Sequence, residues 1–77
     1  MAKIYADADG HLLRVLREHE EAKYPDPPDG AAFTLDFDDT TNAAALDAIA
    51  NDWNGHAVNQ SGRLIRKGKP VPIVADG

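Results

Sequence analysis

The chain contains no cysteine, which removes two of the usual ways to stabilise a small protein. Without cysteine there is neither a disulfide bond nor a thiolate metal site. The three histidines, His11, His19 and His56, lack the close spacing of a zinc site. Because a core of this size rarely supplies more than ~3–5 kcal/mol, we predict a single small domain over residues 1–77, held by close packing or by neighbouring chains, with no bound metal or cofactor.

Long apolar runs are missing as well. No stretch of the sequence approaches the ~20 apolar residues that a membrane-spanning helix requires. The opening segment MAKIY is typical of a strand and not of the hydrophobic core of a signal peptide. We therefore expect a chain that is made in the cytoplasm, is not secreted by a signal peptide and has no membrane partner.

The patterns of common catalytic sites are also absent from the sequence. Ser61 is the only serine, and no GxSxG motif surrounds it. Gly68-Lys69 lacks the preceding glycines and the helix of a phosphate-binding loop. We therefore predict that the protein is not an enzyme and has no catalytic residues.

Acidic residues are abundant, and the charges are unevenly placed. Residues 1–59 carry twelve acidic and four basic side chains, whereas residues 60–77 carry four basic side chains against Asp76 alone. Two opposite poles favour head-to-tail self-contact or docking on a charged partner; alternatively, the basic segment lies beside its own acidic helix. No aromatic residue separates the four cations, so we do not expect a nucleic-acid partner. These cations, named the basic hairpin below, are Arg63, Arg66, Lys67 and Lys69.

The first part of the chain has the pattern of a β-hairpin. Apolar residues at 4–5 and 12–16 flank the turn sequence Asp-Ala-Asp-Gly at 7–10. A helix over 11–24 is the competing interpretation, because its leucines also have helical spacing. We prefer a strand through Arg17, followed by an acidic turn or short helix over 18–23. The turn resembles the start of an EF-hand calcium loop, but two required acidic positions fall on apolar or aromatic residues, so we predict no metal there.

Residues 24–30 form a proline-rich connector, since Pro25, Pro27 and Pro28 remove backbone donors and disfavour helix in the residues before them. The acids Asp26 and Asp29 make this segment unusual for a proline-recognition ligand. We therefore predict a semi-rigid spacer.

Residues 33–53 contain a strand followed by a helix. Phe33, Leu35 and Phe37 alternate with polar residues, which is typical of a half-buried strand. Candidate N-caps at residues 40–42 then precede an alanine-rich helix over 43–53. Its apolar face comprises Leu46, Ile49, Ala50 and Trp53. Trp53 either completes the core or is an exposed anchor for a partner.

The end of this strand resembles the DxDx[TV] motif of haloacid-dehalogenase-type phosphatases, with Asp36, Asp38 and Thr40 in its three places. The resemblance implies a nucleophile at Asp36, an acid/base at Asp38 and a bridging Mg²⁺. Such enzymes need a doubly wound parallel sheet and further distant residues, for which the remaining chain is too short. A polar strand end before a capped helix is the preferred interpretation.

Three short segments, 56–59, 63–66 and 69–74, predict a C-terminal meander whose last strand is an edge, because Pro70 and Pro72 cannot donate to a ladder. The predicted fold is therefore α+β, a small, mainly antiparallel sheet of four or five short strands with one helix packed on one face. The predicted core comprises Ile4, Leu13, Leu16, Phe33, Leu35, Phe37, Leu46, Ile49, Trp53, Val58, Leu64, Ile65, Val71 and Ile73.

The order of hairpin, connector, strand, helix and meander resembles small structural or accessory proteins of tailed bacteriophages. The segments that carry the resemblance are 3–5 with 9–10, 33–38, 42–53, 62–64 and 66–71. It implies a non-enzymatic, multi-copy structural or adaptor protein of a phage particle, located in the host cytoplasm and then in the virion. The partner would be protein, either further copies or a larger viral assembly. The expected contact residues are the basic hairpin, Pro25, Pro27, Pro28 and Trp53.

The alternative function is an acidic inhibitor that mimics phosphates and binds a basic nucleic-acid-binding protein. The acids that would serve this role are Asp36, Asp38, Asp39, Asp47 and Asp52.

Overall fold

The computed structural model describes residues 1–71 and residue 73, and they form two antiparallel three-stranded sheets with one α-helix. The α+β class is confirmed, although there are six strands in two sheets instead of four or five in one. The elements are β1 (Ala2–Ala6), β2 (Leu12–Leu16), β3 (Phe33–Phe37), α1 (Ala43–Asn51), β4 (His56–Val58), β5 (Leu64–Arg66) and β6 (Lys69–Pro70), with 3₁₀ turns at Glu18–Lys23 and Trp53–Gly55.

The first sheet has the order β2-β1-β3, so the N-terminal strand is central. Ile4 pairs with Val15 on one side and with Leu35 on the other. The hairpin and the strand over residues 12–17 are confirmed in outline, since β2 pairs with β1 and the chain then enters the 3₁₀ turn. Pairing with a buried central strand supplies both hydrogen bonds and apolar contact, which a separate helix over 11–24 would forgo.

Helix α1 begins after Asn42, as predicted, but the Asn42 side chain does not cap it. The Asn42 amide instead donates to the Asp38 carbonyl oxygen at 3.0 Å. The helix ends at Asn51, two residues earlier than predicted, because Asp52 leaves the helical conformation with φ −148°. Trp53 therefore turns away from the buried face and is 38% exposed, so its assignment to the core is wrong; Ala50 is exposed too.

The second sheet has the order β4-β5-β6. Lys67 and Gly68 have φ of +51° and +78°, the signs that a two-residue type I′ turn requires. The edge strand β6 ends at Pro70 instead of Val74. Beyond it, the Ile73 amide donates to the Val71 carbonyl oxygen at 2.8 Å. Pro72 and Val74 lie outside the described residues.

One core lies between the two sheets and α1. The predicted members Ile4, Leu16, Phe37, Leu46, Ile49, Val58 and Leu64 are buried. Four further predicted members, Phe33, Leu35, Val71 and Ile73, pack against this cluster but are only partly buried. Leu13 and Ile65 are half-buried and lie outside the cluster. Sequence patterns missed Ala2, Tyr5 and Ala6, because a central strand is covered on both faces and does not alternate; they also missed Val15, in the edge strand β2.

The two sheets are joined at Gly10. The Val58 amide donates to the Gly10 carbonyl oxygen at 2.8 Å, and His11 forms an isolated bridge with Ala57. Gly10 has φ +91°, and a Cβ at this position would lie 2.1 Å from the Val58 carbonyl oxygen. Only glycine satisfies both the left-handed conformation and the close approach of the two backbones.

Candidate functional site

The turn between β5 and β6 places three of the four cations of the basic hairpin beside one cavity. The cavity has a volume of about 420 Å³. Ala45 and Ala48 of α1 form part of its apolar wall, together with Pro70 and Val71. Arg66, Lys67 and Lys69 line it as well. We name this cavity the basic cavity; its chemistry suits an apolar group that carries negative charge.

His56 also lines the basic cavity, and its ring is oriented by a backbone contact. Its Nδ1 lies 2.7 Å from the Asp52 carbonyl oxygen. Because a carbonyl oxygen can only accept, Nδ1 carries the proton and Nε2 holds the lone pair of the neutral ring. His56 and the two alanines were not predicted as site residues. The i, i+3 pair of small residues at 45 and 48, on a helix followed by a strand, is the signal that could have found them.

Lys67 and Lys69 have no ion-pair partner within the part of the chain that the structure describes. Arg66 lies 3.6 Å from the Asp52 carboxylate, and both side chains are about half exposed. The hypothesis that the basic segment lies beside its own acidic helix therefore holds for one cation. The two lysines remain available to an external anion.

Arg63, the fourth cation, lies at a different cavity. This second cavity, of about 330 Å³, is lined mostly by apolar side chains, including Leu35, Leu64 and Ile73. Arg63 is exposed, and its backbone amide donates to the Asn59 side chain at 2.9 Å. The basic hairpin is thus divided between two cavities.

The connector is also exposed. Pro25 and Pro27 face solvent, and Pro28 is half-buried. The connector ends in a turn in which the Ala31 amide donates to the Pro28 carbonyl oxygen at 3.2 Å. At the other end Tyr24 is 45% exposed, and the Arg14 guanidinium stacks on its ring at 4.7 Å. Exposed prolines and a tyrosine make this segment an apolar surface.

The acids of the connector stand within that apolar surface. Asp26 and Asp29 are exposed, and in the described chain neither forms an ion pair. They flank Pro27 and Pro28, so the connector presents negative charge on both sides of an apolar centre.

One cation, Arg17, pairs with two acids near the start of α1. The Arg17 guanidinium binds Asp39 through two nitrogens, with Nε at 2.9 Å, and also contacts Asp47. The Glu18 amide donates to Asp39 at 2.6 Å. The hydrogen bond from Arg17, followed by that from the Glu18 amide, lowers the pKa of Asp39 to about 2. Arg17 thereby links the end of β2, the loop before α1 and α1 itself.

The two aspartates of the phosphatase-like motif have separate contacts. Lys3 lies directly across from Asp36 in the β1–β3 register, and its ammonium group is 2.6 Å from the carboxylate. Asp38 accepts the Thr41 amide at 2.8 Å, and hydrogen bonds from the Thr41 side chain and amide lower the pKa of Asp38. Asp36 thus forms an ion pair between neighbouring strands, and Asp38 accepts a hydrogen bond in the turn that precedes the helix.

The β1–β2 turn gathers Asp7, Asp9 and His11, whose candidate ligand atoms all lie within 4.8 Å of one another. Neither the EF-hand spacing nor the scattered positions of the histidines along the chain indicated this grouping. Asp7 already accepts the amides of Asp9 and His11 at 3.0 and 2.9 Å, which lowers the pKa of Asp7. Exposed acids of this kind are common without a metal, and here they close the hairpin turn.

Comparisons with known proteins give no relative: no family model matches the chain, and neither a curated protein nor a solved structure matches it significantly. In residues 1–71 and 73, no helix has the length and apolar character that crossing a membrane requires.

Proposed function

We propose that this chain is a non-enzymatic structural or adaptor protein that is present in many copies and acts through protein–protein contacts. The observation that carries the proposal is the basic cavity, in which an apolar wall adjoins two lysines that have no carboxylate partner in the described part of the chain. An apolar centre with a charged rim is the usual organisation of a protein interface.

Exposed aromatic side chains on other parts of the surface support the same proposal. Tyr24 and Trp53 are among the largest exposed apolar side chains. Aromatic residues are enriched at interfaces, because they bury a large area while losing little conformational freedom. Trp53 therefore belongs with the basic hairpin and the connector as a contact residue.

The resemblance to small structural proteins of tailed bacteriophages supports a location for this chain in a phage particle. The chain would be made in the host cytoplasm and become part of a virion, where it contacts further copies or a larger assembly. Many copies in a fixed array can compensate for the small core of each chain, because binding to the folded state stabilises it.

Pairing of the acids favours this proposal over the phosphate-mimicking inhibitor. Of the five acids considered for that role, Asp36, Asp39, Asp47 and Asp52 each face a cation of the same chain. A carboxylate that is already paired offers less potential to a basic partner than a free one. In the described chain, Asp26 and Asp29 of the connector and Lys67 and Lys69 of the basic hairpin are among the charges without an ion-pair partner.

Light scattering of the purified chain over a wide concentration range, at low and at high salt, tests the proposal. We expect a mass above that of one chain, partly retained at high salt, because apolar contact is not screened. The mass of a single chain at every concentration and salt would contradict a self-associating subunit.

A further inference from the structure

We propose that the basic cavity of one copy binds the connector, residues 24–30, of a second copy. This inference rests on the proposed function and specifies the surfaces that such a subunit would use. The two surfaces carry opposite charge, and each combines that charge with apolar area.

The connector is complementary to the cavity in chemistry. Asp26 and Asp29 stand on either side of Pro27 and Pro28, and both acids are without an ion pair in the described chain. The cavity presents Lys67 and Lys69 beside its apolar wall. Prolines on alanine and valine side chains would bury apolar area, while each aspartate gains a cation that it lacks in a single copy.

The backbone conformation of both surfaces is restricted before they bind each other. The pyrrolidine rings fix φ in the connector, and a backbone hydrogen bond closes the turn after Pro28. On the other side, Lys67 and Gly68 form a two-residue turn, and Lys69 follows it directly as the first residue of β6. Binding therefore orders little additional backbone, which lowers the entropy cost of association.

The cavity is not occupied by the connector of its own chain, because no connector residue lines it. Since the two surfaces are different patches of one molecule, two copies can exchange connectors in a reciprocal two-fold pair, or each copy can bind the next one in a ring or an open filament. We therefore expect a mass of two chains or more.

Charge reversal with complementary mixing tests this contact. One variant carries Lys67→Glu with Lys69→Glu, and the other carries Asp26→Lys with Asp29→Lys. In each variant alone the connector and the cavity have the same sign, so we expect association at least about tenfold weaker than in the parent chain. In an equal mixture every contact between unlike variants again pairs opposite charges, and the oligomer should reappear.

The matched control is Asp9→Lys with Glu18→Lys, which changes net charge as the connector variant does but at exposed acids elsewhere. It should associate like the parent chain. All the substituted side chains are exposed, and unfolding curves verify that each variant is folded.

The outcomes separate this inference from the proposed function. Two monomeric variants that associate only when mixed would support the contact. Variants that still associate like the parent chain, or that stay monomeric in the mixture although the parent associates, would overturn this contact while leaving a self-associating subunit. A parent chain that is monomeric throughout would overturn both.

Discussion

Charged side chains meet one another in the sheet β2-β1-β3 and the helix beside it, whereas those of the sheet β4-β5-β6 mostly face solvent. In the first region Lys3 pairs with Asp36 across two strands, and Arg17 joins Asp39 to Asp47. In the second region Lys67 and Lys69 line a cavity, and neither has a carboxylate partner in the described chain. The same residue types therefore stabilise the fold in one region and leave a binding surface in the other.

Burial decreases towards the last strand of the second sheet. Three residues of β1, Ala2, Ile4 and Ala6, are completely buried, whereas both residues of β6 are exposed. An element with little buried area contributes little to folding and tolerates substitution. We infer that the first region, together with Val58 and Leu64 of the second sheet, supplies the stability of the domain, and that β6 and the turn before it present its contacts.

The largest expected effect lies at the junction of the two regions. Gly10→Ala would place a Cβ against the Val58 carbonyl oxygen at a residue with φ +91°, so we expect a loss of about 3 kcal/mol or more in the free energy of unfolding. Gly68→Ala is the matched control, since its φ is +78° but nothing lies within 4 Å of the added Cβ; it should cost roughly 1 kcal/mol. Urea unfolding measures both, and equal losses would contradict a specific junction.

Truncation of buried and half-buried apolar residues compares the two regions directly. Leu46 is fully buried, so Leu46→Ala should lower the free energy of unfolding by roughly 2–5 kcal/mol. Ile65, in β5, is half-buried, and Ile65→Ala should cost roughly 1 kcal/mol. Similar losses in denaturant unfolding would show that a half-buried residue of β5 contributes as much to stability as a fully buried residue of α1.

Asp39 makes part of the first region's stability dependent on pH. Its pKa is lowered to about 2 by Arg17 and the Glu18 amide, so its stabilisation is complete above the unfolded-state pKa of roughly 4 and is lost as the pH falls towards 2. At neutral pH we expect Asp39→Asn to cost about 1–2 kcal/mol. Unfolding measured from pH 7 to pH 2 should show the parent and variant converging; a constant difference would contradict an ionic origin.

The smallest effect is expected at the pair of Lys3 and Asp36. Both side chains are more than a third exposed to solvent. We therefore expect Asp36→Asn to lower the free energy of unfolding by less than about 1 kcal/mol. High salt should remove most of that difference, because exposed charges are screened. A loss as large as that of Asp39→Asn would mean that exposure does not distinguish the two pairs.

Local patterns in the sequence determined most of the secondary structure. Alternation specified β3, Asp-Gly and Lys-Gly marked two turns, and prolines kept the connector and β6 out of continuous strand. These features depend on neighbouring residues, whose conformational preferences act over a few positions. The acidic and basic poles were also visible, because charge can be counted along the chain.

Tertiary structure decided where those elements meet. The junction of the two sheets depends on the approach of Gly10 to Val58, and the exposure of Trp53 depends on the break in the helix at Asp52. The pairing of Arg17 with Asp39 joins residues 22 positions apart. The basic cavity likewise combines α1 with the last turn of the described chain. Such contacts are selected by packing between distant segments, so no local pattern encodes them.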